Sequence, residues 1–266
     1  AAATGAAGAE GAGEGPALTA EQKKELRQAR KAAELADFNR RSAEGTTVVL
    51  DLEWEDSLSD REIKALVQQV LYSYGSNRSA QRPVRLVLSG VAPGSGTHEK
   101  LAKQAGYPSA WAGVTVVEKS YLEHFAEQKR QLVYLTADTE DKISSFDPEK
   151  VYIIGGIVDH NRLKGTTRAK ADEQGISTGC LPLGDYIELG SSSRVLTVNH
   201  VLNIILEQQR CNDWRQTFEK CVPGRKRFLE PSDAADGTAS AAQQSPEVDK
   251  CAGVCVSSAP KWPWAG

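Results

Sequence analysis

The 266-residue sequence contains no methionine, only 6% aromatic residues, and no uninterrupted apolar run near the roughly 18 residues that a membrane-spanning helix needs. The last absence excludes an integral membrane helix, and no membrane partner is expected. The missing methionine, which extends to position 1, leads us to expect a fragment or a processed product whose targeting signal is absent. The expected compartment is the nucleus or the cytoplasm, with the mitochondrion left open. Five cysteines, an odd number scattered along a long chain, fit reduced thiols inside a cell rather than a disulfide scaffold. Cys251 and Cys255 lack a second ligand pair at zinc-site spacing, and His98, His124, His160 and His200 form no set, so no metal is expected. There is no G-x-G-x-x-G fingerprint, no phosphate-binding G-x-x-x-x-G-K-[ST] loop and no nucleophile elbow. Those absences argue against dinucleotide binding, P-loop chemistry and serine hydrolysis.

What is present divides the chain into four stretches. Residues 1–17 are Ala/Gly-rich with nothing to bury and are expected to be disordered. Residues 18–45 read as a charged helical arm carrying Lys23, Lys24, Arg27, Arg30, Lys31, Arg40 and Arg41. That arm is either a solvated helix or a basic strip for a phosphate backbone. Residues 229–266 turn to Ala, Ser, Gly, Gln and acids, and are expected to be a disordered tail. The two ends are acidic and the middle mildly basic, a balance that permits a nucleic-acid partner.

Residues 46–228 alternate in character. Thr46–Leu52, Arg85–Val91, Gly113–Val117, Leu132–Thr136 and Val151–Val158 are β-branched, apolar and strand-like. Ser59 followed by Glu62 marks a helix start, after which Ile63, Leu66, Val67, Val70, Leu71 and Tyr74 recur on one helical face up to Gly75, the expected stop. Residues 199–209 read as a helix buried against a sheet, with Asn199 as its N-cap. Strands alternating with helices imply an α/β fold, a mostly parallel sheet covered on both faces. Its ligands belong beyond the carboxyl ends of the strands, after Leu135, Ile154, Leu181 and Leu196.

The densest chemistry follows one strand end: Gly155, Gly156, then Asp159, His160, Asn161, Arg162, Leu163 and Lys164. A Gly-Gly pair lets backbone approach a ligand closely. The turn from Leu181 to Tyr186 can offer amides to a flat heteroaromatic ring.

VYLTAD (133–138), VYIIGGIVDHNRLKG (151–165), CLPLGDYIEL (180–189), RVLTVNHVLNIILE (194–207) and DW..TFEKCVPGRK (213–226) together resemble one family, in order and in spacing. It is the Trm10-type branch of the SPOUT superfamily, the tRNA position-9 purine N1-methyltransferases. The resemblance covers 46–228. It implies a monomeric domain with a C-terminal trefoil knot whose three loops hold S-adenosylmethionine. It further implies cofactor contacts from Leu135, Gly156, His160, Asn161, Arg162, Leu163, Lys164, Leu181, Leu196, Thr197 and Val198. The family's proposed general base falls on Asp159. For a tRNA partner, the candidates for phosphate contact are the basic residues Arg78, Arg82, Arg168, Arg225, Lys226 and Arg227. Where the family often carries Thr-Ser after its second strand, this chain has Ser89-Gly90. The implied activity is N1 methylation of guanosine 9 in tRNA. Its alternatives are an enzyme acting on adenosine 9 and a non-catalytic tRNA-binding platform of the same fold.

Overall fold

The structure, a computed structural model, describes residues 19–158, 163, 165–188, 196–222 and 227–229. Six strands form one sheet: β1 (Thr47–Asp51), β2 (Arg85–Ser89), β3 (Val114–Val116), β4 (Leu132–Leu135), β5 (Val151–Gly155) and β6 (Ser177–Gly179). Their spatial order is β3-β2-β1-β5-β4-β6, and every pairing is parallel. The expected mostly parallel sheet is therefore wholly parallel among the described strands. A separate antiparallel pair joins β7 (Ile187–Glu188) to β8 (Arg227–Phe228).

Period-two burial sorts the strand residues into two cores. Val48, Leu50, Leu86, Leu88, Val133, Leu135, Tyr152 and Ile154 face one side. There they meet α2 (Asp60–Ser79), α6 (Val198–Cys211) and α7 (Trp214–Cys221). Val49, Val87, Leu132, Tyr134, Val151 and Ile153 face the other side, against Tyr121 of the short helix α4 (Tyr121–His124) and Ala171 of α5 (Thr166–Gln174). Both faces of the sheet are covered, which explains why the strands read as continuous apolar runs rather than as alternating ones. A further helix, α3 (Gly96–Ala102), follows β2.

The N-terminal charged segment is α1 (Ala20–Glu44), opened by a reciprocal capping box between Thr19 and Gln22. Most of it is exposed, but its last turns are docked. Phe38 is buried, the Arg78 guanidinium stacks 4.2 Å from its ring, and the Ser42 hydroxyl donates to the Val84 carbonyl at 2.8 Å. No described helix is long and apolar enough to cross a membrane.

Two local expectations are corrected. Gly75 does not stop α2, which runs on to Ser79. Its last turns are buried at Ser73, Gly75 and Asn77, and the Asn77 amide brackets both backbone groups of Val84 at 2.8 and 3.0 Å. This burial offsets the roughly 1 kcal/mol that glycine costs inside a helix. Asn199 is not the N-cap of α6; Thr197 holds that position without a side-chain cap bond, and the first amide of the helix, from buried Val198, donates to Gln69 Oε1 at 2.9 Å. The Ser59–Glu62 capping box stands as expected. The trefoil threading depends on the course of residues 159–162, 164 and 189–195, which lie outside the described residues.

Candidate functional site: a cavity at the carboxyl ends of the strands

Three chain segments leave the carboxyl ends of β4, β5 and β6 and enclose a cavity of about 330 Å³. That is large enough for a small ligand. Its buried lining is mostly apolar: Leu135, Ile154, Pro182 and Leu183, beside buried Thr136 and Thr139, with half-buried Ile157, Leu163, Leu181, Leu196 and Val201 around them. Its rim is polar and exposed: Asp138, Glu140, Lys142 and Asp185. Such a cavity suits a ligand with a flat apolar ring at one end and charge at the other. Four of the expected cofactor residues, Leu135, Leu163, Leu181 and Leu196, are brought together here. Thr197 and Val198 start α6 immediately beyond Leu196 and do not line the cavity. Asp159, His160, Asn161, Arg162 and Lys164 lie outside the described residues.

Gly156 is required for a different reason from ligand contact. Its amide donates to the Asp51 carbonyl at 2.7 Å, and a Cβ there would stand 2.5 Å from that same oxygen. Glycine thus lets the end of β5 close against the end of β1.

Beneath this junction is a charged cluster that the sequence did not announce. Asp51, the last residue of β1, is fully buried. Its Oδ2 accepts from Lys170 Nζ at 2.7 Å, Tyr134 Oη at 2.7 Å and Trp54 Nε1 at 3.0 Å, and its Oδ1 accepts from the Glu53 amide at 3.2 Å. Lys170 also lies over the Trp54 ring at 4.8 Å and pairs with Glu53 at 3.3 Å. Burial, joined by the Asp51 charge, pushes the Tyr134 hydroxyl well above its usual range, so Tyr134 is a donor and stays neutral. Burial likewise raises Glu53, against the pull of Lys170. The buried carboxylate ties β1, β4 and α5 together directly under Gly155 and Gly156. The one sequence signal was an aspartate closing the apolar run of β1.

The neighbouring turn explains Ser89-Gly90. Gly90 has φ +74°, and a Cβ on it would sit 2.2 Å from Glu53 Cγ. Any side chain there is both strained and obstructed.

On the rim, the Asp138 carboxylate accepts from the Gly165 amide at 3.1 Å, which ties the segment after β4 to the start of α5. Lys142 Nζ bonds Asp185 Oδ1 at 2.6 Å, an ion pair that raises the lysine above its ordinary range.

Each described basic residue expected to face RNA has a partner within the protein. Arg78 stacks on Phe38, Arg82 donates to the Gln209 carbonyl at 3.0 Å, and Arg168 bonds both oxygens of Asp172 at 2.9 Å. The backbone of Arg227 pairs with Glu188 in the small sheet. Arg225 and Lys226 lie outside the described residues.

Residues 9–227 match the family model of the tRNA (guanine(9)-N(1))-methyltransferase TRM10/TRM10A. This chain belongs to that family. The match reaches into the N-terminal helix, beyond the 46–228 span of the sequence resemblance. The tRNA (guanine(9)-N1)-methyltransferase of Schizosaccharomyces pombe is 38% identical over 202 residues, which are 74% of this chain and 66% of that one. The human tRNA methyltransferase 10 homolog A is 32% identical over 203 residues, 76% of this chain and 58% of its own. This TRM10-family chain thus spans between half and two thirds of the length of these curated relatives. The crystal structure of spTrm10(74) superposes with a TM-score of 0.63 at 38% identity, over 67% of this chain and 94% of that one. The full-length spTrm10–SAH complex gives 0.61 at 37% identity, over 68% and 98%. The TRM10-family fold and its SPOUT-type sheet are therefore shared over the described core.

Proposed function

We propose that this chain methylates N1 of guanosine at position 9 of tRNA, acting as a monomer with S-adenosylmethionine as methyl donor. The observation that carries this reading is the cavity, which is assembled from the loops that the family resemblance assigns to the cofactor and closed by an apolar floor. Relatives named as tRNA (guanine(9)-N1)-methyltransferases support it.

When bound, S-adenosylmethionine supplies an electrophilic methyl group on a sulfonium sulfur. Leu135, Leu181, Leu183 and Leu196 would take the adenine ring and exclude water from it. The Gly155 backbone, which lines the cavity, allows close approach on one side. Guanine N1 carries a proton and is a poor nucleophile until that proton leaves. Asp159, three residues beyond Gly156, is our candidate for the carboxylate that takes it as the N1–methyl bond forms. The rest of the rate follows from holding N1 in line with the methyl group. Arg78, Arg82, Arg168, Arg225, Lys226, Arg227 and the basic side of α1 are candidates for phosphate contacts, which position the RNA without reading its sequence.

The test is incubation with an unmodified tRNA transcript and methyl-labelled cofactor, followed by mapping of the label. Methylation at guanosine 9 is expected, and its loss by about 100-fold or more in Asp159→Asn, with S-adenosylhomocysteine affinity changed less than about twofold. Cofactor binding without any label in RNA favours the platform reading. Label on adenosine 9 in preference to guanosine 9 reverses the base preference and removes the need for Asp159 as a base.

A further inference from the structure

We propose that Lys142 and Asp185 read the amino-acid end of the methyl donor, Lys142 taking its carboxylate and Asp185 its ammonium group. This rests on the cofactor reading above and assigns one part of that ligand to two named side chains.

Three observations converge on the pair. The cavity is polarised. Leu135, Ile154, Pro182 and Leu183 are buried at its inner end, whereas the charged lining residues are exposed at its rim. A ligand with an apolar heteroaromatic ring and a zwitterionic tail lowers its free energy by putting the ring inside and leaving the tail at the rim. Next, Lys142 is the one cation among the described residues that line the cavity, and it gives the tail's carboxylate an opposite charge at the rim. Of the three rim acids, Asp138, Glu140 and Asp185, it is Asp185 that stands 2.6 Å from Lys142 Nζ. Finally, the two residues come from different walls. Lys142 follows β4 and is bridged to Cys180, and Asp185 ends the turn that follows β6. Their ion pair joins the two walls and sets a positive and a negative charge side by side, a pair that the carboxylate and ammonium of a single α-amino acid group complement. With the tail in place, four charges alternate in sign where two stood before.

Side-chain exposures of 53% and 45% set the size of the effect. Water screens both charges, so each interaction is modest and sensitive to salt.

The experiment is calorimetric binding to the full chain of two ligands that share adenosine and sulfur, S-adenosylhomocysteine, which has the amino-acid tail, and 5′-methylthioadenosine, which lacks it. In Lys142→Gln and in Asp185→Asn, affinity for S-adenosylhomocysteine is expected to fall about three- to tenfold, with methylthioadenosine affinity changed less than about twofold. The double exchange Lys142→Asp with Asp185→Lys restores an ion pair between the walls in reversed order. It is expected to keep the loss for S-adenosylhomocysteine and to leave methylthioadenosine alone. Equal losses for both ligands, or recovery in the double exchange, would show that the pair merely ties the walls together and would overturn the assignment. No change for either ligand would overturn it as well. If the unaltered chain binds neither ligand, the cofactor reading itself fails, and this assignment with it.

Discussion

The two ends of the parallel sheet each carry an opening, and they differ in what their side chains have left to offer. The opening at the amino ends is the larger, about 530 Å³, bounded by Arg41, Thr46, Arg82, Phe146 and Gln209 among others. Its arginines are engaged within the protein. Arg41 donates to the carbonyls of Ala80 and Gln81, and Arg82 to that of Gln209. The smaller opening at the carboxyl ends has an apolar floor and a ring of exposed charge. Volume therefore does not mark the site; an apolar floor beside exposed charge does. Parallel strands also place their carboxyl ends on one side, where loops are free to vary without disturbing the ladder.

The comparison predicts a descending series of effects. The largest belongs to the support under the carboxyl end. Lys170→Met leaves the wholly buried Asp51 carboxylate without its cation. Breaking a buried pair in this way is expected to cost about 3–5 kcal/mol in urea unfolding. A loss below about 1 kcal/mol would show that Tyr134 and Trp54 alone satisfy the carboxylate. An intermediate effect belongs to the floor. Leu181→Glu puts a charge against the apolar surface, and S-adenosylhomocysteine affinity is expected to drop about 10- to 100-fold. An unchanged affinity would move the ring's place elsewhere in the cavity. The smallest belongs to the amino end. Arg82→Ala removes one exposed hydrogen bond and is expected to shift S-adenosylhomocysteine affinity less than about twofold and stability by about 1 kcal/mol or less. A tenfold loss of affinity there would erase the distinction between the two ends.

Much of the frame was legible along the chain because its causes are local. The apolar runs at 47–51, 85–89 and 151–155 became strands, and the Ser59–Glu62 box opened a helix. The four leucines at 135, 163, 181 and 196 met because strand ends and following loops are readable in order, and because the family's motifs fall on them. What stayed hidden depends on partners distant in sequence. Asp51 finds Tyr134 across 83 residues and Lys170 across 119. The amide that opens α6, from Val198, finds Gln69 across 129 residues. Phe38 sits among charged residues in a helix that reads as a solvated arm or a basic strip, yet its ring packs against Arg78 and Gly113. Neither periodicity nor composition reports such meetings, since each needs the tertiary arrangement to exist first.

The strand order carries a consequence for assembly. β1 lies between β2, which follows it shortly, and β5, whose Val151 pairs with Thr47 from far down the chain. Closing so long an interval is slow, since the entropy of joining its ends is lost before any contact rewards it. Every described residue that walls the carboxyl-end cavity lies between Leu135 and Val201, so a nascent polypeptide that has exposed only its first three strands owns none of that cavity's described walls. A small molecule captured there can thus favour only chains whose later half has already arrived, acting as a late inspector of completed folds and never as a template for the early ones.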